Sequence, residues 1–469
     1  MTDSKRIVEN IKNVILVVLF LTTILLLYLL WSGDSSSPIV LSDILPFIEK
    51  ESDAPEWLDV IVPEYLAVGS GDGSFKVEYQ DMTAVRDESI AILAEIYEGT
   101  LQVYTITEDQ YNKAMSQYAC AIIGWPADLP YQEFCQKCGI ESSAAEGIDF
   151  MSSLAYSDAA GDSVFIHDAV NKLHYRLALE GADFARPVIT GDAAGQSAYY
   201  PASVILGCSS SALIPISEHS SQQVCRYARE SDDERTRISI AEGIFGDTFD
   251  FVRRMTDDFG TVTYMYGYGQ KTLTVLQDGS YEYKAETSGE SQGFFGDLET
   301  ALKFVAQCGG WGGEDQGISY RLVEAEEKGT QRDRSCTFGF AGFIGDNRIY
   351  AENGLPLVVT VKSGSISYYY RNAVTLAEAE AGETAPVCDA ANVIASNAGH
   401  MYKVENNDAL SPDTDEAFSV IADSVDSVSM GYYLFEGDDS LLPCWVVRLS
   451  GGDCFFFDLY GGSPLGFSK

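Results

Sequence analysis

"LLPCWVVRLSGGDCFFFDLYGG", residues 441–462, crowds two cysteines, a tryptophan and three consecutive phenylalanines around a tight turn. With Gly451-Gly452 as a two-residue turn, Leu449 faces Cys454, Val447 faces Phe456 and Trp445 faces Asp458. Alternation along a strand then puts Trp445, Val447, Leu449, Cys454 and Phe456 on one face. The other carries Cys444, Val446, Phe455, Phe457 and Leu459, with Arg448 among them. Both faces are mostly apolar, so both are expected to be covered. Pro443 suits the first position of such a strand, where its missing N–H costs little. Cys444 lies about 17 Å along the strands from the partner of Cys454, at about 3.4 Å per residue, which is beyond disulfide reach. The stretch reads as a core hairpin in which both cysteines neighbour Trp445.

The segments before it repeat the formula. "VCDAANVIASNAG" (387–399) predicts a helix and "SVDSVSMGYYLFEG" (424–437) a strand. Further upstream, "LPLVVTVKSGSISYYYRN" (355–372) predicts a strand pair turning at Ser363-Gly364. "KTLTVLQDGSYEYKA" (271–285) predicts a hairpin in which Asp278-Gly279 supplies the positive φ angles of a type I′ turn. Between them "GDLETALKFVAQCGG" (296–310) predicts a helix capped by Asp297, with Leu298, Ala301, Leu302 and Val305 on one stripe and Gly309 at its end. "VRDESIAILAEIYEG" (85–99) carries Ile90, Leu93, Ala94 and Tyr97 at helical spacing and stops at Gly99. Interspersed helices and hairpins define an α+β class with antiparallel sheets and packed helices.

The chain opens differently. Val14 to Trp31 is an uncharged apolar run, about 27 Å of helix at 1.5 Å per residue, close to the hydrocarbon thickness of a bilayer. It exceeds the roughly 7–15 residues of a signal-peptide core, and no small-residue cleavage pair follows, so an uncleaved anchor is expected. Lys5, Arg6 and Lys12 precede it and no basic residue follows until Lys50, which keeps the N-terminus cytoplasmic and sends residues 32 onward outside. Thr22 and Thr23 are its polar interruptions, and Tyr28 and Trp31 lie at interfacial depth. The expected organisation is a cytoplasmic tail (1–13), a transmembrane anchor (14–31), a "SGDSSSP" linker (32–38) and three α+β segments, 39–230, 236–374 and 375–469. The charge run "ARESDDERTR" (228–237) marks the first of the later boundaries.

Seventy acidic against thirty basic residues give a net charge of −40. Such a surface repels nucleic acid and anionic lipid, so neither is an expected partner. Ten cysteines would allow disulfides in an exported chain, yet a chain of this size does not need them, and most are expected to be small buried hydrophobes.

Chemistry-bearing motifs are sparse. Cys135-Gln-Lys-Cys138 has no second pair, and His167, His174, His219 and His400 are not spaced to complete a zinc site. A redox role would want a strand before the motif and a helix after it, and neither is evident in sequence. "GSGDGSF" (69–75) and "YGYGQKT" (266–272) match no phosphate-binding loop and read as turns. His167 followed by Asp168 is the one histidine to test as a base. No catalytic residue, cofactor or metal is assigned.

The order of parts resembles the YycH/YycI family of bacterial two-component regulators. Three stretches carry the resemblance. Residues 241–283, "AEGIFGDTFDFVRRMTDDFGTVTYMYGYGQKTLTVLQDGSYEY", resemble a helical phrase followed by a strand pair. Residues 347–372, "NRIYAENGLPLVVTVKSGSISYYYRN", resemble the middle sheet. Residues 428–462 resemble the terminal, PepSY-like unit with its Pro-x-Trp strand and aromatic return. The resemblance implies a non-catalytic, single-pass protein that associates with a WalK (YycG)-like sensor histidine kinase in cell-envelope homeostasis, alongside a related YycH/YycI-type partner. It places the partner contact in the membrane helix, for which Val14, Val18, Thr22, Thr23, Tyr28 and Trp31 are the candidate residues. The alternatives from other classes are an anchored envelope enzyme, either a wall hydrolase or a thiol oxidoreductase using Cys135 and Cys138, and a PepSY-like inhibitor of an exported peptidase.

Overall fold

The alternating runs of the sequence assemble into two large sheets. The structure, a computed structural model, describes residues 54–188, 198–216, 218–229, 234–308, 310–313, 317–330, 333–378, 384–405, 414–436 and 439–468. They belong to one compact unit, Asp53–Lys469. The class is the expected one: α+β, antiparallel sheets, helices packed on their faces.

The first sheet orders its strands Leu101–Ile106, Leu173–Leu179, Ser163–Asp168, Phe150–Ser157, Ala119–Pro130, Tyr65–Ser70, Phe75–Glu78, Tyr199–Pro201 and Leu213–Pro215, each antiparallel to the next. Because neighbouring side chains on a strand point to opposite faces, Leu154 and Ile166 join one core while Ala155 and Phe165 join another. The helix Met82–Glu98 covers the first face with Leu93 and Ile96, and Gly99 ends it as expected. Glu108–Ser116 covers the second with Tyr111, Ala114 and Met115, its start fixed by a capping box between Thr107 and Gln110.

The second sheet begins at Arg253–Thr256 and passes through Val262–Tyr266, Lys271–Val275, Tyr281–Ala285, Ser365–Arg371, Leu357–Lys362 and Ser335–Ile344 to the short strand Asn347–Tyr350. From there it continues to Val425–Phe435 and Ser440–Leu449. The join from Asn347–Tyr350 to Val425–Phe435, with Ile349 beside Tyr432 and Tyr350 beside Tyr433, is the one parallel ladder among the described residues. Gly431 makes it possible: a Cβ there would lie 2.7 Å from the Arg348 carbonyl oxygen and 2.8 Å from the Tyr350 ring.

The helix of the middle segment starts earlier than the sequence implied. It spans Gly293–Gln307, and Asp297, expected as its cap, lies fully buried in its second turn. The carboxylate reaches back to accept from Ser291 Oγ at 2.7 Å and Gln292 N at 3.3 Å, so it ties the approach segment instead of capping the helix itself. Leu298, Ala301, Leu302 and Val305 do form the buried stripe.

Two of the three glycine turns also differ from expectation. Leu449 N–H donates to Asp453 at 2.9 Å and Gly452 N–H donates to Leu449 at 2.8 Å, so the loop holds Ser450, Gly451 and Gly452, with Gly452 at φ +94°. Arg448, not Leu449, therefore faces Cys454, and Trp445 faces Phe457. The slip moves the returning strand to the other face: Trp445, Val447 and Leu449 pack with Phe455, Phe457 and Leu459, while Cys444 and Val446 pack with Phe456 and Cys454. The strand also begins at Ser440, so Pro443 is internal to it. Leu276 N–H donates to Ser280 at 2.8 Å, which again leaves three loop residues, Gln277 to Gly279, in place of the two-residue Asp278-Gly279 turn. Ser363 and Gly364, at φ +52° and +73°, do form the two-residue turn.

The parallel join generates a prediction. Gly431→Ala drives a methyl group against backbone and is expected to lower stability by about 1–3 kcal/mol in urea melts. An unchanged midpoint would show that the two strands can separate without cost.

Candidate functional site: an open sheet edge with exposed aromatics

The six membrane-helix residues expected to contact a partner, Val14, Val18, Thr22, Thr23, Tyr28 and Trp31, lie outside the described residues, as does the 32–38 linker. Among the described residues no helix is long and apolar enough to cross a membrane.

The Cys135-x-x-Cys138 motif sits at the C-terminal end of the helix Tyr131–Lys137, directly after the strand Ala119–Pro130. A strand does precede it, contrary to the sequence reading, but the motif closes its helix instead of opening one, away from the terminus that stabilises a thiolate. Burial pushes Cys135 up to about 11 and Cys138 up to about 12. The helix serves as a joint. Phe134 packs edge-on against Trp57 and Trp125, and Glu133 accepts from Phe294 N–H and pairs with Arg334 at 2.7 Å, locking the first sheet to the second.

His167 and Asp168, adjacent on one strand, point to opposite faces and cannot act as a dyad. Asp168 accepts from Asn171 N and Nδ2, both at 2.9 Å, and from Phe150 N at 3.3 Å. His167 instead stacks on His174, its cross-strand partner, with centroids 4.5 Å apart, and Tyr111 lies 4.6 Å from His174. Burial holds His167 below its ordinary value; burial and then the neighbouring imidazole do the same for His174. The hairpin between the two histidines was the sequence signal for this pair. Among the described residues no cluster of three metal-ligating side chains occurs.

Gly69–Phe75 is a hairpin turn, as expected, with Asp72 Oδ1 accepting from Ser74 N at 2.9 Å. The second glycine stretch, Tyr266–Thr272, proves more informative. Tyr268, held between Gly267 and Gly269 at φ +58°, is 98% exposed. A tyrosine in left-handed backbone with its ring wholly in water is an uncommon arrangement.

Tyr268 stands at one end of a hairpin whose outer strand, Arg253–Thr256, pairs with Val262–Tyr266 and has no described strand on its other side. Every residue of that strand is exposed. Phe251 precedes it at 76% exposure, Met255 within it is 49% exposed, and Phe259 at the opposite turn is 76% exposed. Asp257 fixes that turn by accepting from Phe259 N at 2.9 Å and Thr261 N at 2.8 Å, so Phe259 is presented and not merely loose. An open edge offers backbone groups for strand addition, and aromatics along it supply apolar area. The sequence reading saw the hairpin phrase but not its exposure, because Phe and Met at these positions read equally well as core.

No protein-family model matches the sequence. No curated protein matches it either. Among solved structures the fold is similar to that of YycH from Bacillus subtilis, with a TM-score of 0.50 and 14% identity, over 86% of this chain and 97% of that one. At this identity the likeness shows a shared fold alone, and at that level it agrees with the family resemblance of the sequence.

Two predictions follow from the buried groups. Because both imidazoles are held below 6.5, the unfolded chain binds more protons than the folded chain just under that pH, and stability falls as pH drops through the window. Thermal melts below about pH 6.5 are expected to show a shallower fall for His174→Gln than for the parent protein, and parallel curves would remove the pair from the account. In thiol labelling, native Cys135 is expected to stay unmodified until the protein unfolds; rapid native labelling would reopen the redox reading.

Proposed function

We propose that this protein is a non-catalytic, membrane-anchored extracytoplasmic regulator of a two-component sensor histidine kinase of the WalK (YycG) type, acting in cell-envelope homeostasis. The observation that carries the reading is the fold likeness to YycH across 86% of the chain. The apolar run Val14 to Trp31, with basic residues on its N-terminal side only, supports an anchor whose helix meets the helices of the kinase. The raised thiols of Cys135 and Cys138 speak against the oxidoreductase alternative.

In this reading the membrane helix gives proximity and the open edge at Arg253–Thr256 gives the ectodomain its contact. Two weak attachments on one chain raise overall affinity by effective concentration, so neither needs to be strong alone.

Affinity capture of the kinase from membranes tests the proposal. Intact protein is expected to recover it, and a chain lacking 14–31 to recover much less. A triple Phe251→Ser, Phe259→Ser, Tyr268→Ser variant should lower recovery by about tenfold, or about 1.4 kcal/mol, with no loss of fold. No kinase recovered with the intact chain would overturn the proposal.

A further inference from the structure

The open edge is spelled as a self-complementary sequence. "FVRRMTDDF", residues 251–259, carries Phe251, Arg253, Met255, Asp257 and Phe259 at every second position, so apolar ends and opposite charges are spaced evenly about Met255. Alternation places Arg253, Met255 and Asp257 on one face of the strand Arg253–Thr256 and its continuation. That face is turned away from the core. Arg254, on the other face, lies 6.0 Å from the centre of the buried Tyr264 ring and pairs with Glu234 at 2.6 Å. Phe251 and Phe259, both largely exposed, stand where the chain enters and leaves the strand.

The hydrogen-bond phase decides which residues can accept another strand. Asp257 N–H donates to Thr261 at 3.1 Å, and Arg253–Thr256 runs in unbroken register with Val262–Tyr266, so the odd-numbered residues bond into the hairpin. The N–H and C=O groups of Arg254 and Thr256 therefore point out of the edge, where no described strand meets them. An added antiparallel strand has to bond through those two residues. For a second copy related by a two-fold axis, this leaves dyads at Arg254, Met255 or Thr256. A dyad at Arg254 sets that arginine against itself, and a dyad at Thr256 sets Met255 against Asp257. A dyad at Met255 bonds Arg254 to Thr256 in both directions and sets Arg253 opposite Asp257 twice. Met255 then meets itself, and Phe259 of each copy reaches the end of the other that carries Phe251.

The side chains are available for these pairs. Asp257 accepts both of its turn bonds, from Phe259 N and Thr261 N, on Oδ1, and its Oδ2 has no bond among the described residues. Arg253 is exposed and enters no ion pair among the described residues. Opposite charges directly across an antiparallel ladder stabilise it and like charges destabilise it, so the Met255 register is favoured over its two neighbours.

We infer that Arg253–Thr256 is the seam of a symmetric homodimer, in which two copies join their second sheets edge to edge about Met255. The seam is short, so the association is weak and reversible, like other transient contacts of small area. One edge accepts one strand, so self-pairing and the proposed kinase contact exclude each other; that consequence alone rests on the kinase reading.

Sedimentation equilibrium of the full chain in an uncharged detergent tests the seam. Reversible dimers are expected, with a dissociation constant of about 100 μM or below. Thr256→Pro removes an N–H that points out of the edge and leaves the hairpin bonds in place; it should abolish dimers with the melting temperature unchanged. Arg253→Glu meets Asp257 with a like charge and should weaken dimerisation about tenfold or more. Met255→Cys lies at the dyad, where facing Cα atoms are about 4.5 Å apart and within disulfide reach. Mild oxidation should therefore cross-link it between copies well above the parent level, and should not do so for Arg254→Cys or Thr256→Cys. A parent protein that is monomeric at about 1 mM, dimers that survive Thr256→Pro, or cross-linking through Arg254→Cys or Thr256→Cys in preference to Met255→Cys would each overturn the inference. If Thr256→Pro lowers the melting temperature, undiminished dimerisation by Arg253→Glu takes its place as the overturning result. No kinase takes part, so a monomeric result leaves the proposed function standing, and a failed kinase capture leaves the dimer standing.

Discussion

Much of the second sheet hangs on four residues. Asn347–Tyr350 takes its ladder from Ser335–Ile344 on one side and passes it to Val425–Phe435 on the other, by a parallel pairing. Parallel ladders are usually buried and need close backbone approach, which Gly431 permits by offering no Cβ to the Arg348 carbonyl. Once that contact is made, Tyr350 lies 5.5 Å from Phe456, and Tyr433 stacks on Phe456 at 5.0 Å, so the aromatic return of the C-terminal hairpin is anchored to the middle of the molecule. Gln222 bonds the Asn347 side chain and brings the segment before Cys225–Arg229 to the same strand. The join is short, and the packing on both sides depends on its register.

The sequence was legible where a single local rule decides the outcome. Ser363-Gly364 turns in two residues because both accept positive φ and the flanking strands need nothing more. The same rule failed at Gly451-Gly452 and Asp278-Gly279, where only the last glycine takes the left-handed conformation and one residue more joins the loop. One residue is enough to change the face of every side chain on the return strand, and with both faces apolar no hydrophobic pattern could reveal the slip. The buried Trp445 ties the hairpin to a distant segment. Its Nε1 donates to the Cys388 carbonyl at 2.8 Å, just ahead of the helix Ala390–Glu405, a contact that no local pattern encodes.

The chemistry-bearing motifs failed for a related reason. Cys135 and Cys138 are close in sequence because a short helix needs small apolar residues where it docks, and His167-Asp168 are neighbours whose side chains part to opposite faces. The histidine pair that does exist joins residues across a hairpin. Likewise the exposed edge is spelled with the same Phe, Met and Tyr that fill cores; only the end of the ladder at Arg253–Thr256 distinguishes them.

Scarce positive charge is used with some consistency elsewhere. Arg334 joins Glu133 at 2.7 Å across the sheets, and Arg229 joins Glu436 and Asn372, each at 2.8 Å, across distant segments. Each of these arginines draws a carboxylate from far along the chain, Arg334 in addition to the nearer Glu327. Such pairs do little for stability when exposed, but half-buried they reject other registers, because a slip would strand a charge. Arg348 and Arg448 sit at the join that most needs its register fixed, and there Glu64 and Glu324 face Arg448 from beyond ion-pair distance.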